Sequence, residues 1–412
     1  MAGTTPSWTV NEHVIPASHP RGYLRGVRDP QTSRLRLHVK QYVPYSASSL
    51  GDGQHAMTLI VQHGQPPGDN KEAYEPFMQD LLSQPNLPPI RAIWALDIAS
   101  AGQSFLLNRE EIGDEPHWFD ASRDILQMVN YFQTEMKPPL VGFGQSWGGA
   151  VLAMAASWSP RLFQALVLSE PILENGYYHF QAAQGNLDSL KGIKGAVAAV
   201  GIAKRKRYFS SRKALADSMQ KLPMWTAYDP RVLQQILEFD YRDLDDGRVE
   251  LVTPPYQAFQ FFQRPSPPLP GYPEAEEYSD RGEDANYPAG WYQEMSWHAK
   301  QSLSRLHCPL LILWENTERP FVSDEGYRNR VMEAALARKS RKNKIQQEFV
   351  EGEHSLALFV PLRVAQATAR WLDGVWREWI VEEVQRQKHA RIDPENIPDG
   401  QQRLIRSTLT KL

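Results

Sequence analysis

The chain has 412 residues, of which 42% are hydrophobic and 23% charged, as in a globular protein with a substantial core. A net charge of −3 argues against nucleic-acid or anionic-membrane partners. Cys308 is the single cysteine, which excludes an internal disulfide and favours a reducing compartment. The amino terminus lacks the features of a signal peptide, and we find no apolar run long enough for a membrane span.

Strands and helices are predicted in alternation along most of the chain. The predicted strands cover residues 9–16, 35–43, 57–62, 91–97, 140–143, 163–169, 309–314 and 345–350. One helix is predicted from a cap at Asp69 or Asn70 to about Ser83. Others are predicted over residues 122–132, 324–338 and 361–388, and one directly after the glycine-serine motif described below. This alternation predicts the α/β class, with a mostly parallel sheet flanked by helices on both faces.

The alternation stops between about residues 172 and 306. This segment contains many aromatic residues, the basic run Lys204-Arg205-Lys206-Arg207, and the proline-rich stretch 265–271, which cannot be a helix or a central strand. We predict an inserted cap that lies over the carboxyl ends of the strands and shapes a pocket there. The basic run is interpreted either as a solvated helix face or as a clamp for phosphate groups. The predicted domains are a core of residues 1–171, the cap 172–306, a second core part 307–395, and a tail 396–412.

The motif Gly144-Gln145-Ser146-Trp147-Gly148 lies between an apolar strand and a helix-prone segment. This pattern is typical of a nucleophile elbow, in which a serine occupies a strained turn. We expect glycine at both ends because neighbouring side chains would collide there. The helix after the serine directs free N–H groups to the same place, so we assign the N–H of Trp147 as an oxyanion donor.

A second oxyanion donor is expected in the loop that follows strand 57–62. This loop reads His63-Gly64-Gln65-Pro66, and Pro66 has no N–H to donate. We therefore assign the N–H of Gln65 as the second donor. His63 is expected to support the loop and not to take part in catalysis.

A serine nucleophile needs a base, and the base needs a carboxylate to orient it. His354 follows the last predicted strand and precedes the closing helix, which is where the alpha/beta-hydrolase fold places its base. Two carboxylates compete as the acid. Glu170 directly follows strand 163–169, and Glu318 follows strand 309–314. The spacing does not separate them.

The sequence also resembles a known family in several motifs. They are Lys71-Glu72-Ala73-Tyr74-Glu75-Pro76, Ile93-Trp94 leading to Asp97, Ser122-Arg123-Asp124, the elbow, Pro160-Arg161-Leu162-Phe163 and Leu166-Val167-Leu168-Ser169-Glu170-Pro171. The chain is similar in these to the fungal acyl-CoA thioesterase family of mycophenolic acid biosynthesis, which comprises peroxisomal alpha/beta hydrolases. The resemblance places the acid at Glu170, where the family has aspartate, and keeps Glu318 in reserve.

The resemblance implies a serine hydrolase that cleaves an acyl-CoA thioester or ester of a fungal secondary metabolite through an acyl-enzyme on Ser146. Coenzyme A would be the leaving group, and no metal or other cofactor is implied. The chain departs from the family at Gln145 and Trp147, and we expect the indole of Trp147 to form a wall of the pocket. The carboxyl-terminal Thr410-Lys411-Leu412 differs in one residue from a peroxisomal import signal.

Two other functions are compatible with the same residues. A cyclase or acyltransferase would use the same acyl-enzyme but resolve it with an internal nucleophile. A binding protein would keep the fold without turnover, but both the serine and the histidine are present, which argues against it. The expected partner is a small acyl substrate, with no nucleic acid and no membrane span, and a homodimer is one oligomeric state to test.

Overall fold

The computed structural model describes residues 7–50, 55–173, 194–222, 225, 227–262, 264–265, 291–292, 295–338, 344–389 and 397–410. The strands in chain order are Trp8–Pro16 (β1), Arg36–Pro44 (β2), Met57–Gln62 (β3), Ile90–Leu96 (β4), Leu140–Gln145 (β5), Ala165–Ser169 (β6), Tyr208–Phe209 (β7), Tyr241–Asp243 (β8), Val249–Leu251 (β9), Arg264–Pro265 (β10), Trp291–Tyr292 (β11), Leu310–Glu315 (β12) and Ile345–Val350 (β13). The α-helices are Glu75–Leu82 (α1), Gly102–Asn108 (α2), Trp118–Tyr131 (α3), Trp147–Trp158 (α4), Lys194–Ala203 (α5), Arg212–Gln220 (α6), Pro230–Phe239 (α7), Pro255–Phe262 (α8), Met295–Leu303 (α9), Glu325–Leu336 (α10), Leu356–Phe359 (α11), Pro361–His389 (α12) and Asp399–Leu409 (α13).

An eight-stranded sheet forms the centre of the molecule, in the order β1-β2-β4-β3-β5-β6-β12-β13. β2 pairs antiparallel with β1 and β4, and the other neighbouring strands are parallel. The predicted α/β class and mostly parallel sheet are confirmed. Because β3, β5, β6, β12 and β13 run in the same direction, the loops at their carboxyl ends meet at one edge of the sheet.

The strands β3, β5, β6 and β12 are buried along their whole length and are mainly apolar because both faces of the sheet are covered. In β12 the side chains of Leu310, Ile312 and Trp314 belong to one hydrophobic cluster, whereas Leu311 and Leu313 belong to the other. The first cluster includes residues of α3 and α4, and the second includes residues of α1 and α12. The period-two alternation of a strand thus fills two cores from one apolar run.

The segment between β6 and β12 lies outside the central sheet. Its described residues form α5 to α9, a three-stranded sheet in the order β7-β9-β8, and the short pair of β10 with β11. Most of the proline-rich stretch, residues 266–271, lies outside the described residues. The cap boundaries at 172 and 306, and the other domain boundaries, stay a prediction.

Two helices complete the carboxyl-terminal part of the chain. α12 packs against α1, close to the predicted range of the closing helix. The exposed helix α13 lies in what the sequence predicted to be a tail. Lys411 and Leu412, which carry most of the predicted import signal, lie outside the described residues. Within the described ranges, none of the helices is both long and apolar enough to cross a bilayer.

Candidate active site

Ser146 lies in the turn between β5 and α4, with backbone angles φ 57° and ψ −121°. Few residues other than glycine adopt such a conformation, so the turn is strained. The predicted need for small neighbours is confirmed. A Cβ on Gly144 would lie 2.6 Å from the carbonyl carbon of Gly148, and a Cβ on Gly148 would lie 2.4 Å from the carbonyl oxygen of His63. Close backbone packing therefore fixes the position of Ser146.

The Ser146 hydroxyl and the His354 ring are in hydrogen-bond contact. Oγ of Ser146 lies 2.9 Å from Nε2 of His354, although 208 positions separate the two residues in the sequence. His354 lies in the loop between β13 and α11, at the same edge of the sheet as the elbow. The parallel order of the strands brings these loops together, and the role of His354 as the base for Ser146 stays a prediction.

The other ring nitrogen of His354 faces Glu170. Nδ1 lies 3.1 Å from Oε2 of Glu170, a buried residue directly after β6 with a positive φ of 47°. Oε1 of Glu170 accepts hydrogen bonds from the N–H of Glu315 at 2.7 Å and the hydroxyl of Ser323 at 2.8 Å. Because an ionised carboxylate only accepts, Nδ1 carries the proton and Nε2 presents its lone pair to Ser146.

Glu318, the reserve acid, takes a different position. It is exposed on the wall of the cavity beside Ser146, and within the described ranges the carboxylate that accepts a hydrogen bond from Nδ1 of His354 is that of Glu170. Glu315, the last residue of β12, has a carboxylate oxygen within 4.8 Å of a ring nitrogen of His354, and its carboxylate accepts the N–H of Phe321 at 2.6 Å. In this geometry the contact with His354 is made by Glu170, and its role as the acid stays a prediction.

Three side chains of the site are close enough together to be considered as metal ligands. They are Glu170, Glu315 and His354, with one candidate ligand atom of each within 4.8 Å of the others. Both oxygens of Glu170 and both ring nitrogens of His354 are already engaged in the hydrogen bonds described above. The arrangement is accounted for as a hydrogen-bonded chain from a carboxylate through an imidazole to a hydroxyl.

The two expected oxyanion donors are one residue that follows Ser146 in the chain and one that lines the same cavity. Trp147 begins α4, and the first N–H groups of a helix have no acceptor within that helix. Gln65 lines the same cavity as Ser146, and its N–H has no acceptor among the described residues. Their positions are compatible with oxyanion binding, and the role itself stays a prediction.

His63 supports the loop that carries Gln65. Its Nδ1 lies 2.7 Å from the carbonyl oxygen of Gly64, and its Nε2 accepts the N–H of Ile98 at 3.3 Å. Burial lowers the pKa of His63, so the ring is neutral and structural.

Gln145 has a positioning role that the sequence interpretation did not identify. Its amide nitrogen donates to the carbonyl oxygen of His354 at 2.7 Å, and its amide oxygen accepts from the hydroxyl of Ser169 at 2.8 Å and the N–H of Ala357 at 3.3 Å. Gln145 therefore ties the elbow to the histidine loop. Its place next to Ser146 was the available signal, but its partners are more than 20 positions away.

The expectation for the side chain of Trp147 was wrong. Its indole is 1% exposed and belongs to the hydrophobic core, where it packs edge-on against the rings of Phe261 and Trp118. It is not among the residues that line the cavity. In the first residue of a helix, the backbone N–H and the side chain have different directions. Only the packing reveals where the side chain lies.

A cavity of about 1070 Å³ opens beside Ser146 and His354. Its walls are mainly apolar, and both the core and the inserted segment contribute to them. The inserted segment supplies Ile202, Phe209, Met219, Leu222, Trp225 and Tyr228 among others, and the core supplies Pro66, Pro67, Phe321 and Phe359. The space is large enough for an acyl group of considerable size.

A buried carboxylate pair connects the oxyanion loop to the inserted segment. Asp240 accepts hydrogen bonds from the N–H of Gly68, at 3.2 Å, and from the amide of Asn70. Burial and the charge of Asp240 together raise the pKa of Asp69 to about 7. Burial also raises the pKa of Asp240, while Arg205 opposes that rise. Asp240 is thus hydrogen-bonded to two residues that follow Gln65 closely in the chain.

The sheet order and the elbow geometry define the chain as an alpha/beta hydrolase. Residues 59–367 match the model of the alpha/beta hydrolase family, and the chain belongs to that family. The predicted recognition is thereby confirmed.

Curated relatives resemble parts of the chain. The type I acyl-CoA thioesterase mpaH' of Penicillium brevicompactum is 40% identical over 171 residues, which are 42% of this chain and 38% of that protein. The peroxisomal membrane protein LPX1 of Saccharomyces cerevisiae is 26% identical over 148 residues, which are 34% of this chain and 38% of that protein. The matched segments therefore span well under half the length of these relatives.

The fold is also similar over nearly the whole chain to a solved structure. The peroxisomal alpha-beta-hydrolase Lpx1 of Saccharomyces cerevisiae superposes with a TM-score of 0.67 and 15% sequence identity, covering 99% of this chain and 98% of that one. At this identity the likeness concerns the fold.

Proposed function

We propose that the chain is a serine hydrolase that cleaves an acyl-CoA thioester or ester through an acyl-enzyme on Ser146. The observation that carries the proposal is the hydrogen-bonded chain from Glu170 through His354 to Ser146, at 3.1 Å and 2.9 Å. The mainly apolar cavity beside it supports an acyl substrate. The thioester is favoured because the relatives from Penicillium are named acyl-CoA thioesterases.

In the proposed mechanism, Oγ of Ser146 attacks the carbonyl carbon while Nε2 of His354 accepts the hydroxyl proton. Glu170 stabilises the imidazolium that forms, and the N–H groups of Gln65 and Trp147 hold the oxyanion. The tetrahedral intermediate collapses as His354 returns the proton to the leaving sulfur or oxygen. A water molecule, deprotonated by His354, then releases the acid and restores Ser146.

The test is incubation of the purified protein with a panel of acyl-CoA thioesters and aryl esters, with detection of free thiol and acid. We expect turnover by the parent protein and none by Ser146→Ala, and a fluorophosphonate probe should label only the parent. If the protein cleaves simple esters but no thioesters, the thioesterase assignment is wrong and the assignment as a serine hydrolase stands. A parent protein that neither reacts with the probe nor turns over any substrate would refute both.

We further propose a peroxisomal location for this chain. Its support is the sequence relative from Saccharomyces cerevisiae, which is named a peroxisomal protein. Fluorescence microscopy of the tagged protein, with the tag at the amino terminus, tests the location. Fluorescence that does not coincide with a peroxisomal marker would contradict it.

A further inference from the structure

The inserted segment brings positive charge to the cavity beside Ser146. Lys204, Arg205 and Lys206, between α5 and β7, all line the cavity. Every charged residue that the described part of the segment contributes to the lining is therefore a cation. The carboxylates of the lining come from the core, at the carboxyl ends of β12 and β13, and are Glu315, Glu318 and Glu353. The core also contributes Arg319, so the carboxylates of the lining all lie on the core wall, whereas the charge of the inserted segment is entirely positive.

The two arginines of the basic run are engaged by the fold. The guanidinium of Arg205 lies 3.7 Å from the carboxylate of Asp240 and is largely buried. The guanidinium of Arg207 donates to the carboxylate of Glu250 at 2.7 Å and 3.2 Å. Both contacts hold the segment in place, so these arginines are not available to a ligand as free charges.

The two lysines of the run differ from the arginines. Lys204 and Lys206 are exposed, and within the described ranges neither has a carboxylate at ion-pair distance. The ammonium of Lys206 lies 5.0 Å from the centre of the Phe209 ring, another residue of the cavity wall. The run therefore leaves two unpaired cations at the rim of a mainly apolar cavity that contains the reactive serine.

We propose that Lys204 and Lys206 bind the phosphate groups of coenzyme A when an acyl-CoA thioester occupies the cavity. This inference rests on the proposed function. Coenzyme A carries a pyrophosphate and a 3′-phosphate at the end of a long uncharged arm. With the thioester carbonyl at Ser146 and the acyl group against the apolar wall, the arm passes the inserted segment. The phosphates then stay in water beside the lysines, which bind them as point charges without a large desolvation penalty.

The test compares two thioesters of the same acyl group, one of coenzyme A and one of N-acetylcysteamine, which has no phosphate. In Lys204→Gln/Lys206→Gln, KM for the coenzyme A thioester should rise about tenfold more than KM for the N-acetylcysteamine thioester, since each lysine makes an exposed charged contact. The variant Lys204→Arg/Lys206→Arg, which keeps both charges, should have the KM of the parent protein for the coenzyme A thioester. Added salt should raise KM for the coenzyme A thioester in the parent more than in the glutamine variant.

A matched control removes the same charge elsewhere in the inserted segment. Lys213 and Lys221 are exposed and do not line the cavity, so Lys213→Gln/Lys221→Gln should change KM equally for the two thioesters.

An unchanged KM for the coenzyme A thioester in Lys204→Gln/Lys206→Gln would overturn this inference alone. An equal rise for both thioesters would also overturn it, because the lysines would then recognise the acyl group. A parent protein that cleaves aryl esters but neither cleaves coenzyme A thioesters nor binds coenzyme A overturns the proposed substrate as well.

Discussion

Nδ1 of His354 lies 3.1 Å from Oε2 of Glu170, across 184 positions of sequence. The contact depends on the turn after β6, where Glu170 has a positive φ and its side chain is completely buried. Two further hydrogen bonds, from Glu315 and Ser323, hold the carboxylate in place. The orientation of the imidazole thus depends on one buried carboxylate and on the two groups that fix it.

Replacing that carboxylate tests its role directly. Glu170→Gln retains the size and the accepting oxygen but no longer fixes the tautomer of His354, so we expect kcat to fall by up to about 10⁴-fold. Glu318→Gln is the matched control and should keep kcat within a few-fold of the parent. Steady-state kinetics on the best substrate, with circular dichroism to verify folding, checks both. A large loss in the Glu318 variant with little loss in the Glu170 variant would reverse the assignment.

Ser323 should act as a positioning residue. Its hydroxyl donates to Oε1 of Glu170, and both groups are buried, so Ser323→Ala removes one of two donors to that oxygen. A hydrogen bond to a charged group contributes about 1.5–3 kcal/mol, so we expect kcat/KM to fall about tenfold or somewhat more. Ser304→Ala, at a half-buried serine whose hydroxyl donates to the carbonyl oxygen of Gln301, is the control. Equal activity of the two variants would show that the bond from Glu315 is sufficient.

The elbow should tolerate no side chain at Gly148. A Cβ there would lie 2.4 Å from the carbonyl oxygen of His63 and 2.5 Å from that of Gln62, and neither backbone can move away. We expect Gly148→Ala to lower the free energy of unfolding by at least about 1–3 kcal/mol. Gly374→Ala, in an open position of α12, should raise it by about 0.5–1 kcal/mol. Urea unfolding measures both, and a parental midpoint for Gly148→Ala would contradict the close packing.

Asp69 should make the stability depend on pH. Its pKa in the folded protein is about 7, raised by burial and by Asp240, whereas the unfolded chain releases this proton near pH 4. Between these values the folded state binds more protons, so this group makes the free energy of unfolding fall as the pH rises from about 4 to about 7.

Asp69→Asn removes the titrating carboxyl group, and with it this group's contribution to the pH dependence of the free energy of unfolding. The melting temperature of the variant relative to the parent should therefore increase from pH 5 to pH 8. Asp245→Asn, at an exposed aspartate, should shift the melting temperature equally at both values. Thermal unfolding across this range gives the comparison, and a difference for Asp69→Asn that does not change with pH would refute the raised pKa.

The features that depended on neighbouring residues in the sequence were predicted correctly. The apolar runs of β3, β5, β6 and β12 are continuous because helices cover both faces of the sheet, and their bounds lie within a few residues of the prediction. The strand, glycine and helix pattern around Ser146 likewise predicted the strained turn. His354 follows the last strand as predicted, and its role as the base stays a prediction. In each case the signal that predicts the feature lies in adjacent residues, although the helices that cover the sheet come from distant parts of the chain.

The tertiary structure decided the questions in which distant residues compete or cooperate. Glu170 and Glu318 both follow strands that end at the same edge, and only the distances separate them. The indole of Trp147 turned into the core because Phe261 and Trp118, from other elements, pack around it. The uniform basic run divides into paired arginines and unpaired lysines because Asp240 and Glu250 approach from elsewhere in the chain. A sequence pattern determines local conformation, whereas the direction and the partners of a side chain depend on which surfaces folding brings against it.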